Sequence, residues 1–223
     1  MEQHTYQSHT YYIQGTKPRI LLFSGMHGNE YESGRILTAY LADHAGSLPD
    51  FVYIPEVSPS AVQAGTRKNG YDHDINRQFT SGTADPEALA VMHIVTPYQF
   101  NLCIDIHEDP DRTMSCYIYD TAHMTPYELE AYRSCIQTTD ARLYTGIDDV
   151  DDEHLMLQVD KGYVSLGYEK SSETAGFSSR WLYETGVAKR TFTVEIPGKA
   201  NASLKESVIR VLTPYLLNAY HSA

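Results

Sequence analysis

The stretch Ile20-Leu21-Leu22-Phe23-Ser24-Gly25-Met26-His27-Gly28-Asn29-Glu30 decides the reading of this chain. Its first half is a short apolar run with the look of a buried strand, and its second half is a glycine-rich turn holding a His-x-x-Glu pair. Residues three apart on a helical turn share a face, so His27 and Glu30 can reach one metal ion together. A strand that ends in potential ligands suggests a sheet whose carboxyl edge carries the chemistry.

Similar short runs recur along the sequence and mark strands near 11–14, 20–24, 51–57, 102–107, 115–119 and 192–196. Helical spacing separates them over 30–43, 85–98, 126–138 and 203–219. Asp85 and Pro86 form a strong start for the second of these helices, as N-cap and first helical residue. Strands alternating with helices predict an α/β fold. The expected form is a three-layer sandwich with a mixed, largely parallel sheet and helices on both faces. The sequence shows neither an internal repeat nor a Pro- or Ser-rich linker, so residues 1–223 are expected to form a single catalytic domain.

Composition narrows the function classes. A 42% hydrophobic content suffices for a sizeable core. The net charge of −12 disfavours nucleic acid and anionic membranes as partners, although a local arginine cluster can still receive an anionic substrate. Cys103, Cys116 and Cys135 lack Cys-x-x-Cys spacing and are expected to be free thiols in a reducing compartment. The first residues carry no basic or apolar leader pattern, so a cytoplasmic location is expected. The acidic run from Asp148 to Glu153 lacks calcium-loop spacing and reads as a solvated loop.

Two further segments can complete a metal site. Asp105-Ile106-His107 offers a second imidazole at a strand end, and Thr193-Val194-Glu195 offers a late carboxylate. Two imidazoles and a carboxylate suit one Zn2+ with a fourth position open to water. Between these segments lies Thr66-Arg67-Lys68-Asn69-Gly70-Tyr71-Asp72-His73-Asp74-Ile75-Asn76-Arg77-Gln78-Phe79. Arginine's planar fork matches a carboxylate or a developing oxyanion, and two arginines with two asparagines in a short loop suit that task.

This run resembles the Arg-x-Asn-x-x-Gly-x-Asp-x-Asn-Arg-x-Phe signature of the M14-type zinc carboxypeptidases. That family is related to the succinylglutamate desuccinylase and aspartoacylase group. Four separated motifs match in order, from the first buried strand to Glu195. Asp72 stands where the pattern often has Gly, and Ser58-Pro59-Ser60 departs from Asn-Pro-Asp/Asn-Gly.

The resemblance implies one zinc ion held by His27, Glu30 and His107. It implies Arg67 as the oxyanion partner, Asn76 and Arg77 as the grip on a terminal carboxylate, and Glu195 as the general base. Tyr168 is the choice for a substrate-capping tyrosine, ahead of Tyr163 and Tyr183. The implied activity is hydrolysis of an amide bond beside a free carboxylate. The substrate is a small peptide or, as the alternative, an acyl-amino acid. Asp105-Ile106-His107-Glu108-Asp109 departs from the usual Asp-x-His-Ser. Asp105 either orients His107 or caps a strand end, and Glu108 either tunes substrate choice or points to solvent.

Overall fold

In the computed structural model, residues 1–149, 155–167 and 176–220 are described. The chain opens with β1 (Glu2–Tyr6) and β2 (His9–Gln14), an antiparallel hairpin at one sheet edge. There follow β3 (Ile20–Phe23), α1 (Glu32–His44), β4 (Phe51–Ile54), α2 (Pro59–Ala64) and α3 (Pro86–Val95). Next come β5 (Leu102–Asp109), β6 (Ser115–Asp120), α4 (Pro126–Gln137) and the short strands β7 (Arg142–Leu143), β8 (Gly146–Ile147), β9 (Gln158–Val159) and β10 (Tyr163–Ser165). The described chain ends with α5 (Ser178–Glu184), β11 (Thr191–Pro197) and α6 (Ala202–Tyr220).

Among the described residues, nine strands form one sheet in the order β1-β2-β4-β3-β5-β11-β6-β10, with β7 joined to β6. The pairs β4–β3, β3–β5 and β5–β11 are parallel, whereas β11–β6 is antiparallel. The sheet is therefore mixed and largely parallel at its centre, as expected.

The alternation of strand side chains builds the three layers. Ile20, Leu22, Phe51, Tyr53, Leu102, Ile104 and Ile106 meet α1, α4 and α6 on one face. Their neighbours Leu21, Phe23, Val52, Ile54 and Cys103 meet α3 and Leu182 of α5 on the other. Because both faces are covered, β3 and β4 are non-charged and buried throughout, which is why they read as plain runs in the sequence.

β5 is the exception that locates the chemistry. All eight of its residues are buried, yet it ends in Asp105, His107, Glu108 and Asp109. Burying such a set is unfavourable unless each charge is paired or a cation is supplied.

Candidate active site

His27 and Glu30 are delivered by the turn that follows β3. Gly25 takes φ +62, a left-handed conformation that suits glycine, and turns the chain out of the strand. A short 3-10 turn, Gly28–Glu30, then follows with His27 at its N-cap. Three residues per turn stack positions i and i+3, so the two side chains meet. Gly28 lies against the backbone of α2: a Cβ there would sit 1.8 Å from the Ala61 carbonyl oxygen. Only glycine fits at position 28.

β5 runs parallel beside β3 and brings His107 to the same point. His27 Nδ1 lies 3.1 Å from Glu30 Oε1, and His107 Nδ1 lies 3.2 Å from Glu30 Oε2. The ring centroids are 5.3 Å apart, and one donor atom from each of the three residues falls within 4.8 Å of the others. All three residues are buried.

The opposite ring nitrogens face carboxylates. His27 Nε2 is 3.0 Å from Asp74 Oδ1, and His107 Nε2 is 3.2 Å from Asp105 Oδ2, an ion-pair distance without a hydrogen bond. An N–H held at Nε2 leaves the Nδ1 lone pair free for a cation, and carboxylates in this position are the usual partners of metal-bound imidazoles. Ser178 Oγ donates to the same Asp105 oxygen at 3.2 Å.

The electrostatics also call for positive charge. Burial pushes the Glu30 carboxyl up, but hydrogen bonds with His107 and His27 outweigh it and hold it well below the ordinary carboxylate range. Burial disfavours a proton on His107, but the Asp105 charge close beside the ring, with the hydrogen bond to Glu30, drives its pKa well above that of a free imidazole. Buried donors, charge demand and nitrogen orientation all fit a divalent cation.

The remaining expected residues line the same cavity, of about 1120 Å³, except Tyr168, which lies outside the described residues. Arg67 Nη1 is 3.2 Å from Glu30 Oε1, and its Nη2 is 2.9 Å from Asp74 Oδ2. The amide oxygen of Asn76 accepts the Ser178 N–H at 3.0 Å, so its NH2 is the end left to donate. The Arg77 guanidinium lies 4.1 Å above the Phe177 ring.

Glu195 stands beside His107 in the β5–β11 register and opposite Tyr117 in the β11–β6 register. The three side chains therefore form one row on one face of the sheet. Burial pushes the Glu195 carboxyl above the usual range, with the Glu30, Asp109 and Asp105 charges adding to it and His107 opposing.

Several site features were not singled out from the sequence. Asp74 lies within the Arg67–Phe79 loop without any spacing that marks it as a partner of His27. Tyr117 and Tyr119 form a wall, donating to Asp109 at 2.9 Å and to Asp148 at 2.6 Å. Arg112 lies 3.8 Å over the Tyr144 ring and is paired with Asp109. The alternation Ser115-x-Tyr117-x-Tyr119 was the available signal that both tyrosines share the face of Glu195.

Two expectations need correction. Asp148 is buried, accepting the Leu157 N–H at 2.7 Å as well as the Tyr119 hydroxyl, so the acidic run does not begin as a solvated loop. Its continuation over 150–153 lies outside the described residues. Glu108 neither enters solvent nor shares the face of His107, because alternation turns it through the sheet toward α1 and α6. Tyr163 donates to Asp120 and accepts the Met124 N–H, which commits its hydroxyl away from the cavity.

No protein-family model and no curated protein sequence matches the chain. Solved structures do. A candidate metallopeptidase from Shewanella denitrificans OS217 aligns at 18% identity with a TM-score of 0.77, over 100% of this chain and 85% of that one. A metallo-carboxypeptidase from Burkholderia cenocepacia aligns at 18% identity and TM-score 0.66, over 94% and 60%. Murein-tripeptide amidase MpaA from Escherichia coli O157 aligns at 18% identity and TM-score 0.60, over 92% and 85%. Nearly the whole chain thus adopts the M14-like fold shared by these metallopeptidases and the amidase.

Proposed function

We propose that this protein is a zinc-dependent hydrolase that cleaves an amide bond next to a free carboxylate, acting as a carboxypeptidase on a small peptide. The observation that carries the reading is the meeting of His27, Glu30 and His107 beside Glu195, in a cavity that also holds Arg67, Asn76 and Arg77. Two imidazoles and a carboxylate are a catalytic zinc set, and zinc, when bound, acidifies a water molecule and polarises a carbonyl.

The chain's own groups supply the rest. Glu195 takes a proton from the attacking water and returns it to the departing amine, a transfer that needs a carboxylate within reach of both. His107 opposes the burial that raises Glu195, and a cation held beside it would further favour the ionised form. Arg67, at the mouth of the ligand cluster, offers N–H groups to the developing oxyanion. Asn76 and Arg77 lie side by side and present donors to a terminal carboxylate, with Arg77 braced on Phe177. Asp74 and Asp105 hold the two imidazoles in orientation.

An amidase among the structural neighbours supports amide chemistry without fixing the acyl group. The test is elemental analysis for zinc together with a peptide-library digest read by mass spectrometry, run beside N-acyl aspartate and N-succinylglutamate. Release of C-terminal residues supports the proposal. Preference for the acyl-amino acids would move the protein to the deacylase reading, and a folded, metal-free, inert wild type would exclude both. Glu195→Gln is expected to keep zinc and lose about 10²–10⁴-fold in turnover.

A further inference from the structure

Glu108 follows His107 in β5, so its carboxylate emerges on the far side of the sheet from the cavity cluster. There it is 4% exposed. Three groups meet it. Oε1 accepts the N–H of Ser33 at 2.5 Å, in the first turn of α1. Oε2 accepts from Lys205 Nζ at 2.6 Å, and the same ammonium donates to Glu32 Oε2 at 2.7 Å. Lys205 belongs to the start of α6 and is 3% exposed.

This arrangement fills a gap in the sequence. Tyr31, the N-cap of α1, makes no side-chain cap hydrogen bond, so the helix start lacks its ordinary partner. The Glu108 carboxylate serves that amide from another strand, where a negative charge also suits the helix dipole. Glu30 lies two residues before α1, and His107 adjoins Glu108. A single carboxylate therefore ties the segment that supplies Glu30 to the strand that supplies His107. Lys205 closes the tie from a third element.

We propose that Glu108 and Lys205 are positioning residues that fix the spacing of Glu30 and His107 and so set the affinity for the metal ion. The inference rests on the metal-site reading above. A buried ion pair is weak support for stability, since apolar replacements of both partners are often neutral. Its worth here is geometric.

The test titrates apo protein with Zn2+ and Co2+ against a competing chelator. The visible spectrum of the Co2+ form and the melting temperature of the apo form are recorded alongside. Glu108→Gln, Lys205→Met and the double variant Glu108→Leu/Lys205→Met are each expected to lose about 10–100-fold in metal affinity, the usual cost of disturbing groups behind the ligands. The Co2+ spectrum should shift with them, while Lys205→Arg restores most of the affinity. The double variant removes both buried charges together and is expected to melt only a few degrees below the wild type, the cost of the lost Ser33 cap, which separates spacing from stability.

Wild-type affinity and spectrum in the double variant would overturn the inference. So would unfolding of both Glu108 variants with unchanged affinity in Lys205→Met. A wild type that binds neither ion would overturn the metal-site reading itself, and this inference with it.

Discussion

Replacing Asp74 by Asn removes one charge and almost no volume, and the structure sets what that should cost. One carboxylate oxygen lies 3.0 Å from His27 Nε2 and also accepts the Asn76 N–H at 3.0 Å. The other receives Arg67 Nε at 3.1 Å and Nη2 at 2.9 Å. Burial pushes this carboxyl up, but the His27 hydrogen bond and the His27, Arg67 and Arg77 charges hold it well below its ordinary pKa. A charge-assisted bond of this kind is worth about 1.5–3 kcal/mol. Losing a carboxylate behind a metal-binding imidazole typically weakens binding ~10–100-fold, or about 1.4–2.7 kcal/mol. The two estimates agree.

The contact with Arg67 adds less, because that side chain is 47% exposed and its pairing is screened to about 1 kcal/mol or below. The expected result is a fold that melts within a few degrees of the wild type and a metal dissociation constant raised about 10–100-fold. Chelator competition reads the constant, and circular dichroism reads the melt. Asp74→Asn binding metal as tightly as the wild type would show that His27 is not oriented through Asp74. The Nδ1 assignment would then have to be abandoned.

Metal itself should act as a stabiliser. Adding zinc to 100 times its dissociation constant contributes about 2.7 kcal/mol, a rise of roughly 5–11 °C for a chain of this size, and excess chelator should reverse it in a thermal-shift assay. Arg77→Lys keeps the charge but loses the planar fork, so KM should rise about tenfold with kcat nearly unchanged in steady-state peptide assays.

Asp85 offers a pH test away from the cavity cluster. Its carboxylate caps α3 through the Glu87 and Ala88 N–H groups, both at 2.9 Å, and receives Asn69 at 2.7 Å. Burial raises its pKa, but these bonds and His73 hold it below the ordinary 3.8. A depressed carboxylate contributes stability above the unfolded value and loses it as pH falls through the folded one. The advantage of wild type over Asp85→Asn in denaturant melts should therefore be full above about pH 4 and shrink below it.

Much of this architecture could be read from the sequence because its central strands are buried on both faces. Runs such as 20–24, 102–107 and 192–196 need no partner to be recognised. The hairpin strand β1, with His4, Gln3 and Glu2 in an edge position, carries no apolar period and passed unnoticed. The two-residue strands β7, β8 and β9 are held by neighbours rather than by pattern. α2 and α5 are too short for helical periodicity to emerge.

The candidate site divides along the same line. His27, Glu30, His107 and Glu195 are legible because each sits at a strand end or in a turn just after it. Asp74 and Ser178 act through partners 47 and 73 positions away, and no linear pattern reports that distance. Glu108 is visible as a charge, but its direction depends on the pleat of a strand that runs to Asp109, two residues past the apolar run that marks it.

The position of β11 has a consequence for how the protein comes into being. It is the last strand in the described chain, yet it lies between β5 and β6, both synthesised long before it. Its two neighbours in the sheet are therefore joined only through it, and the cluster of His27, Glu30 and His107 lies on the β5 side of that join. One late segment thus both bridges the two parts of the sheet and carries Glu195 to the side of His107, so the candidate site is complete only when the final described strand is in place.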